Sequence, residues 1–269
     1  LGAEARKVYR SLERDLIAEV QSGEITAANA LVKLLRLQQI TGGYVRTDEG
    51  QEIQIDSAKM NLLRDVLEDI APDEPVVVFL GLLARHQGIG NLIEAAAILK
   101  AEGRRVRWLV MGYPGVEEWH QVASAAGVLP EIVFTGRVAY ADAPLMLALG
   151  DVAVAPKLSL TEGSGKILNY MAMALPTVAF DTPAQREYLG SLGVYAPIGD
   201  SMALARGVAS LLDQPGRRRV LGEQLRRIAV QQFGWDRAAV IMTSLYQRLL
   251  ADPKLRAARS HRRQDETVS

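Results

Sequence analysis

The chain has 269 residues, 49% of them hydrophobic, and its 31 basic residues balance its 31 acidic residues. This composition is typical of one or two soluble globular domains. The absence of cysteine excludes disulfides and thiolate metal sites, and three scattered histidines argue against a metal cluster. No apolar run reaches the length of a membrane span and no signal peptide is visible. The sequence therefore predicts a cytoplasmic protein, with peripheral membrane association left open.

Residues 1–74 predict a mostly helical segment. Its predicted elements are a charged amphipathic helix, a second helix that two glycines stop, an exposed hairpin with Asp-Glu-Gly at its turn, and a capped third helix, over residues 5–21, 26–43, 44–56 and 57–74. Taken by itself, such a segment is an appendage that packs on the rest of the fold.

From residue 75 to residue 251, short apolar runs alternate with amphipathic helices. The apolar runs predict buried parallel strands over residues 76–83, 106–113, 131–136, 151–156, 177–181 and 194–198. The other patterns predict helices over residues 89–103, 116–127, 163–174, 202–214, 217–233 and 236–251. This alternation predicts an α/β fold with a Rossmann-like, doubly wound parallel sheet. Such sheets bind ligands at the carboxyl ends of their strands, where the strand order reverses.

Residues 252–269 are polar and begin with a basic run, which predicts a solvated, disordered tail. The predicted organisation is thus a helical segment over residues 1–74, an α/β domain over residues 75–251, and this tail.

The stretch TEGSGKILNYMA, residues 161–172, contains the Gly-Ser-Gly-Lys typical of a nucleotide-binding P-loop. The P-loop pattern requires another glycine five positions before the last glycine, and a hydroxyl residue after the lysine. Leu160 and Ile167 stand at those two positions, so the P-loop interpretation fails. Two interpretations remain, which are a tight turn with a surface lysine and a helix start that binds an anion.

The anion-binding interpretation follows from the residue types. A helix N-terminus offers unpaired N–H groups and a partial positive charge. Gly163 and Gly165 let the backbone approach an anion closely, and Lys166 adds a full charge. Glu162 would not bind an anion, but its carboxylate can accept hydrogen bonds from a hydroxyl group.

Four stretches in this region together resemble the C-terminal half of GT4-type retaining glycosyltransferases, which have the GT-B fold. They are FLGLLARHQGIGNLIEAAAIL, IVFTGRVAY, LGDVAVAPKLSLTEGSGKILNYMAMALPTVAFD and FGWDRAAVIMTSLYQRLL. The resemblance implies a domain that holds a nucleoside-diphosphate sugar, with the diphosphate and sugar at the glycine-rich helix start. The implied substrate-binding residues are Gly81, Arg85, Gln87, Arg137, Lys157, Glu162, Gly163, Ser164, Gly165, Lys166 and Asn169. No metal and no cofactor are implied, and the catalytic residues are left unassigned.

The chain departs from the pattern of that family at three positions. The family has a basic residue after the first glycine of the first strand and a lysine before the next glycine, where this chain has Leu82 and Gln87. Arg85, His86 or Lys157 could substitute for them. The second glutamate of the family falls at Asn169, which can still donate or accept a hydrogen bond at a ribose hydroxyl.

The segment 1–79 resembles another family, the SNF2-type DNA-dependent ATPases. This resemblance rests on VKLLRLQQITGGYV and on DSAKMNLLRDVLEDIAPDEPVVVF. The two resemblances overlap at VVVF, which predicts a chimera joined at a shared strand, of natural or artefactual origin. An SNF2 motor needs a P-loop, a Mg²⁺-binding acidic motif and an arginine finger, and none of these is recognisable in the sequence.

The predicted function is that of a glycosyltransferase-type domain, which binds a nucleoside-diphosphate sugar for glycosyl transfer. No acceptor domain is recognisable in the segment 1–74, so turnover by this chain alone is open. The alternatives are a fragment of an SNF2-type ATPase or helicase and a non-catalytic scaffold. The acidic excess of the segment 1–74 argues against nucleic acid as a partner. The acceptor, a glycan or a lipid-linked molecule, is left open, as are the base and the sugar.

Overall fold

The computed structural model describes residues 6–11, 17–20, 23–26, 44–49, 51–54 and 74–251. The second and third N-terminal helices and the polar tail that the sequence predicts lie outside these residues.

The first N-terminal prediction is only partly correct. Residues 6–11 are helical, but strand β1 (Ile17–Val20) pairs antiparallel with strand β2 (Gly23–Thr26), where the sequence predicts one helix as far as residue 21. The physical reason lies in the sequence IAEVQSGEIT, where a Ser-Gly turn signal separates two short runs with β-branched residues.

The predicted hairpin over residues 44–56 is confirmed. Strand β3 (Tyr44–Arg46) pairs antiparallel with strand β4 (Glu52–Gln54), and the amide of Thr47 donates to the carbonyl of Gln51 over 2.9 Å. The turn falls at residues 48–49, within the predicted Asp-Glu-Gly.

The α/β prediction is confirmed by a six-stranded parallel sheet. Its strands are β5 (Val76–Leu82), β6 (Arg107–Tyr113), β7 (Ile132–Gly136), β8 (Val152–Ala155), β9 (Thr177–Phe180) and β10 (Val194–Ala196). Their order across the sheet is β10-β9-β8-β5-β6-β7. The order therefore reverses between β5 and β8, and the crevice at their carboxyl ends is where a sheet of this kind binds a ligand.

Helices cover both faces of the sheet. They are α1 (Ile89–Ala101), α2 (Val116–Ala125), α3 (Ala143–Leu147), α4 (Lys166–Ala172), α5 (Pro183–Leu189), α6 (Ser201–Leu212), α7 (Pro215–Gln232) and α8 (Trp235–Ala251). Neighbouring residues of β5 point to opposite faces, so Val77 packs in one core with α1 and α6 while Val78 packs in the other with α4 and α7. This two-sided burial explains why the strands are apolar without alternation.

Within the described ranges, none of the helices combines the length and the apolar character that crossing a membrane requires.

Candidate functional site

The crevice between β5 and β8 is formed by two connections that touch each other. A short 3₁₀ turn (Arg85–Gln87) follows β5, and residues 156–165 link β8 to α4. The amide of Leu158 donates to the carbonyl of His86 over 2.9 Å, which ties the two connections together.

Gly88 allows this close approach. Its φ is 76°, in the left-handed region, and a Cβ there would lie 1.8 Å from the carbonyl oxygen of Pro156. Any side chain at Gly88 would therefore push the turn after β5 away from the segment after β8. Gly88 was not among the predicted site residues, although its place between a strand and a helix is a usable signal.

Lys157 lies beneath the loop that leads to α4, with 4% of its surface exposed. Its Nζ donates to the carboxylate of Glu162 and to the carbonyl of Gly163, each over 2.8 Å. The hydrogen bond and charge of Lys157 lower the pKa of the Glu162 carboxyl. Lys157 and Glu162 thus neutralise each other and tie the loop to its own start.

The backbone after Glu162 presents donors. In the part of the chain that the structure describes, the amides of Gly163, Ser164 and Gly165 donate to no protein acceptor. A Cβ on Gly165 would meet no atom within 4 Å, so the space beside this residue is open. The hydroxyl of Ser164 is buried and has no protein partner either. An unpaired hydroxyl such as that of Ser164 is costly to bury, and an anion with several acceptor oxygens would satisfy it together with the exposed amides of Gly163 and Gly165.

Lys166, the first residue of α4, extends to the end of β5. Its Nζ lies 3.0 Å from Oε1 of Gln87 and 3.9 Å from the centroid of the Phe79 ring. A Cβ on Gly81 would lie 2.7 Å from the same Nζ, so glycine makes room for the ammonium. Burial, with a smaller contribution from the charge of Lys157, lowers the pKa of Lys166 to about 7.

Tyr170 fixes α4 against the sheet. Its buried hydroxyl accepts a hydrogen bond from the amide of Leu80 over 2.8 Å. Burial raises the pKa of this phenol, which stays protonated. Asn169, the predicted ribose ligand, is half-buried on the same helix, one turn beyond Lys166. Tyr170 and Phe79 were not predicted as parts of this site, because both look like ordinary core residues in the sequence.

The structure brings most of the predicted site residues together, but the side chains of two arginines have partners elsewhere. Arg85 lies 3.7 Å from the carboxylate of Glu118, beside a cavity of about 350 Å³ between α1 and α2. Arg137, after β7, lies 5.0 Å from the centroid of the Tyr113 ring, next to the edge of the sheet. Their donor-binding roles, like those of the other site residues, stay predictions.

Within the ranges that the structure describes, no group of three or more histidine or acidic side chains could hold a metal ion.

Comparisons with known proteins agree with this architecture. A family model for glycosyl transferases group 1 matches residues 74–214, just over half of the chain. The chain is 26% identical over 210 residues to the α-D-kanosaminyltransferase of Streptomyces kanamyceticus, covering 77% of this chain and 53% of that protein. It is 30% identical over 175 residues to the GDP-mannose-dependent α-(1-6)-phosphatidylinositol monomannoside mannosyltransferase of Mycolicibacterium smegmatis, covering 61% and 45%. The chain thus spans about half the length of these relatives.

Solved structures share the fold. The HepE protein of Anabaena, crystallised in complex with UDP-glucose, superposes with a TM-score of 0.61 at 20% identity, over 73% of this chain and 54% of that one. The SNF2 resemblance of the segment 1–79 finds no support in these comparisons. The parallel sheet, its helices and the family match over residues 74–214 agree, and the chain belongs to the family of glycosyl transferases group 1.

Proposed function

We propose that residues 74–251 form the donor half of a GT-B glycosyltransferase and bind the diphosphate of a nucleoside-diphosphate sugar between β5 and β8. The observation that carries this proposal is the set of unpaired amides at Gly163, Ser164 and Gly165 beside Lys166. Amide donors and an ammonium without a carboxylate partner are what an anion with several oxygens requires.

The chemistry that this arrangement can perform is stabilisation of the leaving group. Glycosyl transfer breaks the bond between the anomeric carbon and the diphosphate, and the electron pair leaves with the diphosphate oxygen. Preorganised amides and the Lys166 ammonium would meet the charge that develops on that oxygen. Glu162 and Asn169 are the proposed contacts of the sugar and the ribose. The SNF2 and scaffold alternatives are less well supported, because neither accounts for the family match.

The donor base and the acceptor are open to experiment. One relative is named for GDP-mannose and one structural neighbour was crystallised with UDP-glucose, so both UDP and GDP are candidates for this chain. Because the chain spans about half of its relatives, the acceptor side of the reaction is proposed to come from a second domain.

The retaining course of the reaction is a further proposal, which rests on the GT4-type resemblance. It is tested by NMR of the product anomer once an acceptor is found, since retention and inversion give opposite configurations. An inverted product would contradict it.

The experiment that tests donor binding is a thermal-shift panel on the full chain with UDP, GDP, ADP, ATP and the sugar conjugates of UDP and GDP. A ligand that binds only the folded state raises Tm, by roughly 5 °C or more at a concentration about a hundredfold above Kd. We expect UDP or GDP to raise Tm, and we expect Lys166→Met to remove most of that rise.

The matched control is Lys7→Met, which removes the charge of an exposed lysine in the helical segment 6–11. It should leave the rise in Tm unchanged. The absence of a rise with every nucleotide, in a chain that melts cooperatively, would contradict the proposed function.

A further inference from the structure

Gln87 occupies a fixed position at the crevice. It ends the 3₁₀ turn after β5, and its backbone amide donates to the carbonyl of Ala84 over 2.9 Å. The next residue is the tightly packed Gly88. The residue has 7% of its surface exposed. Its side chain therefore has little freedom, and its Oε1 points at one partner, Nζ of Lys166.

The Lys166 ammonium is enclosed by groups that attract it without neutralising it. The face of Phe79, the space left by Gly81 and the amide oxygen of Gln87 surround it. In the described part of the chain, no carboxylate lies within ion-pair distance of its Nζ. An amide oxygen accepts a hydrogen bond from an ammonium but carries no net charge to offset it.

Among the described residues, the neighbouring charged groups do not neutralise the charge of Lys166. Lys157 adds repulsion, and its own charge is taken up by Glu162. The charge of His86, in the same turn as Gln87, helps to lower the pKa of the Glu162 carboxyl. Tyr170, one turn along α4, donates and accepts at the backbone of Leu80 and stays neutral.

We propose that Gln87 is a positioning residue, whose amide oxygen aims the Lys166 ammonium into the crevice and leaves its charge available to the donor diphosphate. The inference rests on the proposed function. A carboxylate at this position would form a closed ion pair with Lys166, and an apolar side chain would leave the ammonium without a partner.

A consequence is that donor binding is linked to the protonation of Lys166. With a pKa of about 7, the amine exchanges its proton near neutral pH. A bound diphosphate favours the charged form, so binding raises the pKa of Lys166 and takes up a proton. Affinity for the donor should therefore fall as pH rises above 7.

The test measures affinity by calorimetry from pH 6 to pH 9 with UDP-glucose and GDP-mannose, whose diphosphates keep a constant charge in this range. The variants are Gln87→Glu, which adds a charge, and Gln87→Leu, which removes the acceptor at similar size. The control is Gln121→Glu, which adds the same charge on the exposed face of α2.

For the unaltered chain, we expect affinity to fall about tenfold or more between pH 6 and pH 9, because a charge-assisted hydrogen bond is lost. Gln87→Glu should weaken binding about tenfold at pH 7 and move the decline to higher pH, since its carboxylate keeps Lys166 charged. Gln87→Leu should weaken binding and move the decline to lower pH. Gln121→Glu should change neither.

Two results would overturn the inference, and they are distinguishable. If the ligands bind but both Gln87 variants keep the pH profile of the unaltered chain, Gln87 does not act through Lys166, and the proposed function still stands. If neither ligand binds at any pH, the proposed function fails and the role of Gln87 in donor binding fails with it.

Discussion

Two lysines at the carboxyl edge of the sheet differ in what their surroundings do to their charge. Lys157 has a carboxylate and a carbonyl as partners, so it is a structural ion pair that shapes the loop before α4. Lys166 has an amide and an aromatic face, so burial costs its charge more than its partners return. The same residue type therefore has two roles, because one environment supplies a counter-charge and the other does not.

This difference predicts how stability depends on pH. The pKa of Lys166 is lowered from 10.5 to about 7 in the folded chain, so the unfolded chain binds more protons between these values. Burial of the charged Lys166 therefore destabilises the folded chain. This destabilisation is fully present below pH 7 and disappears as pH rises towards 10.5. Lys166→Met should therefore raise the free energy of unfolding by roughly 2 kcal/mol at pH 7, a value reduced for partial solvent screening. The gain should shrink towards pH 10.

Denaturant unfolding of the unaltered chain and of Lys166→Met between pH 6 and pH 10 measures this difference in the free energy of unfolding. Other titrating groups are common to both chains and cancel, and Lys7→Met serves again as the exposed control. A stability difference that does not vary with pH would contradict the buried-charge account of Lys166.

At the scale of an element, the end of α4 holds a backbone conformation that suits glycine. Ala174 has a φ of 57°, in the left-handed region, and the amide of Leu175 donates to the carbonyl of Tyr170 over 2.9 Å. Helices commonly end in this way with glycine, because a Cβ is crowded there. Ala174→Gly should therefore stabilise the chain by about 0.5–1 kcal/mol.

The matched control for Ala174 lies two residues earlier. Ala172 is an exposed residue in the last turn of α4, and Ala172→Gly should destabilise the chain by about 1 kcal/mol. Thermal denaturation of both variants measures the two effects. Equal destabilisation by both glycines would show that the left-handed residue carries no strain.

The sequence predicts the long elements well and the short ones poorly. All six strands of the sheet and the long helices α1, α2, α6, α7 and α8 fall within a few residues of their predicted positions. Helix α3, of 5 residues, went unpredicted because it is too short to show a helical period. Helix α4 begins at Lys166 rather than at 163, because the two glycines before it have a low helix propensity.

At the scale of the whole molecule, α8 differs from the other helices. It has no buried residue, and its large apolar side chains are exposed, whereas α7 buries Leu225 in the core beside α4. Leu245→Gln in α8 should change the free energy of unfolding by about 0.5 kcal/mol or less. Leu225→Gln should cost roughly 3 kcal/mol or more, because it puts a polar amide into the core.

Chemical denaturation of the full chain measures both substitutions. The two are the same change at two depths, so each is the control for the other. If Leu245→Gln cost as much as Leu225→Gln, the apolar face of α8 would be covered in solution by another part of the protein.

The sequence by itself determined the fold class, since apolar β-branched runs at regular spacing have few ways to be buried other than a parallel sheet between helices. It also located the glycine-rich helix start, because glycine and lysine types carry that signal locally. Only the tertiary structure decided the strand order, and hence that the end of β5 lies beside the end of β8. It alone gave Lys157 and Lys166 different roles, because the partner of a charge is set by contacts between distant parts of the chain. Gln87 and Lys166, for example, are in contact but lie 79 residues apart in the chain.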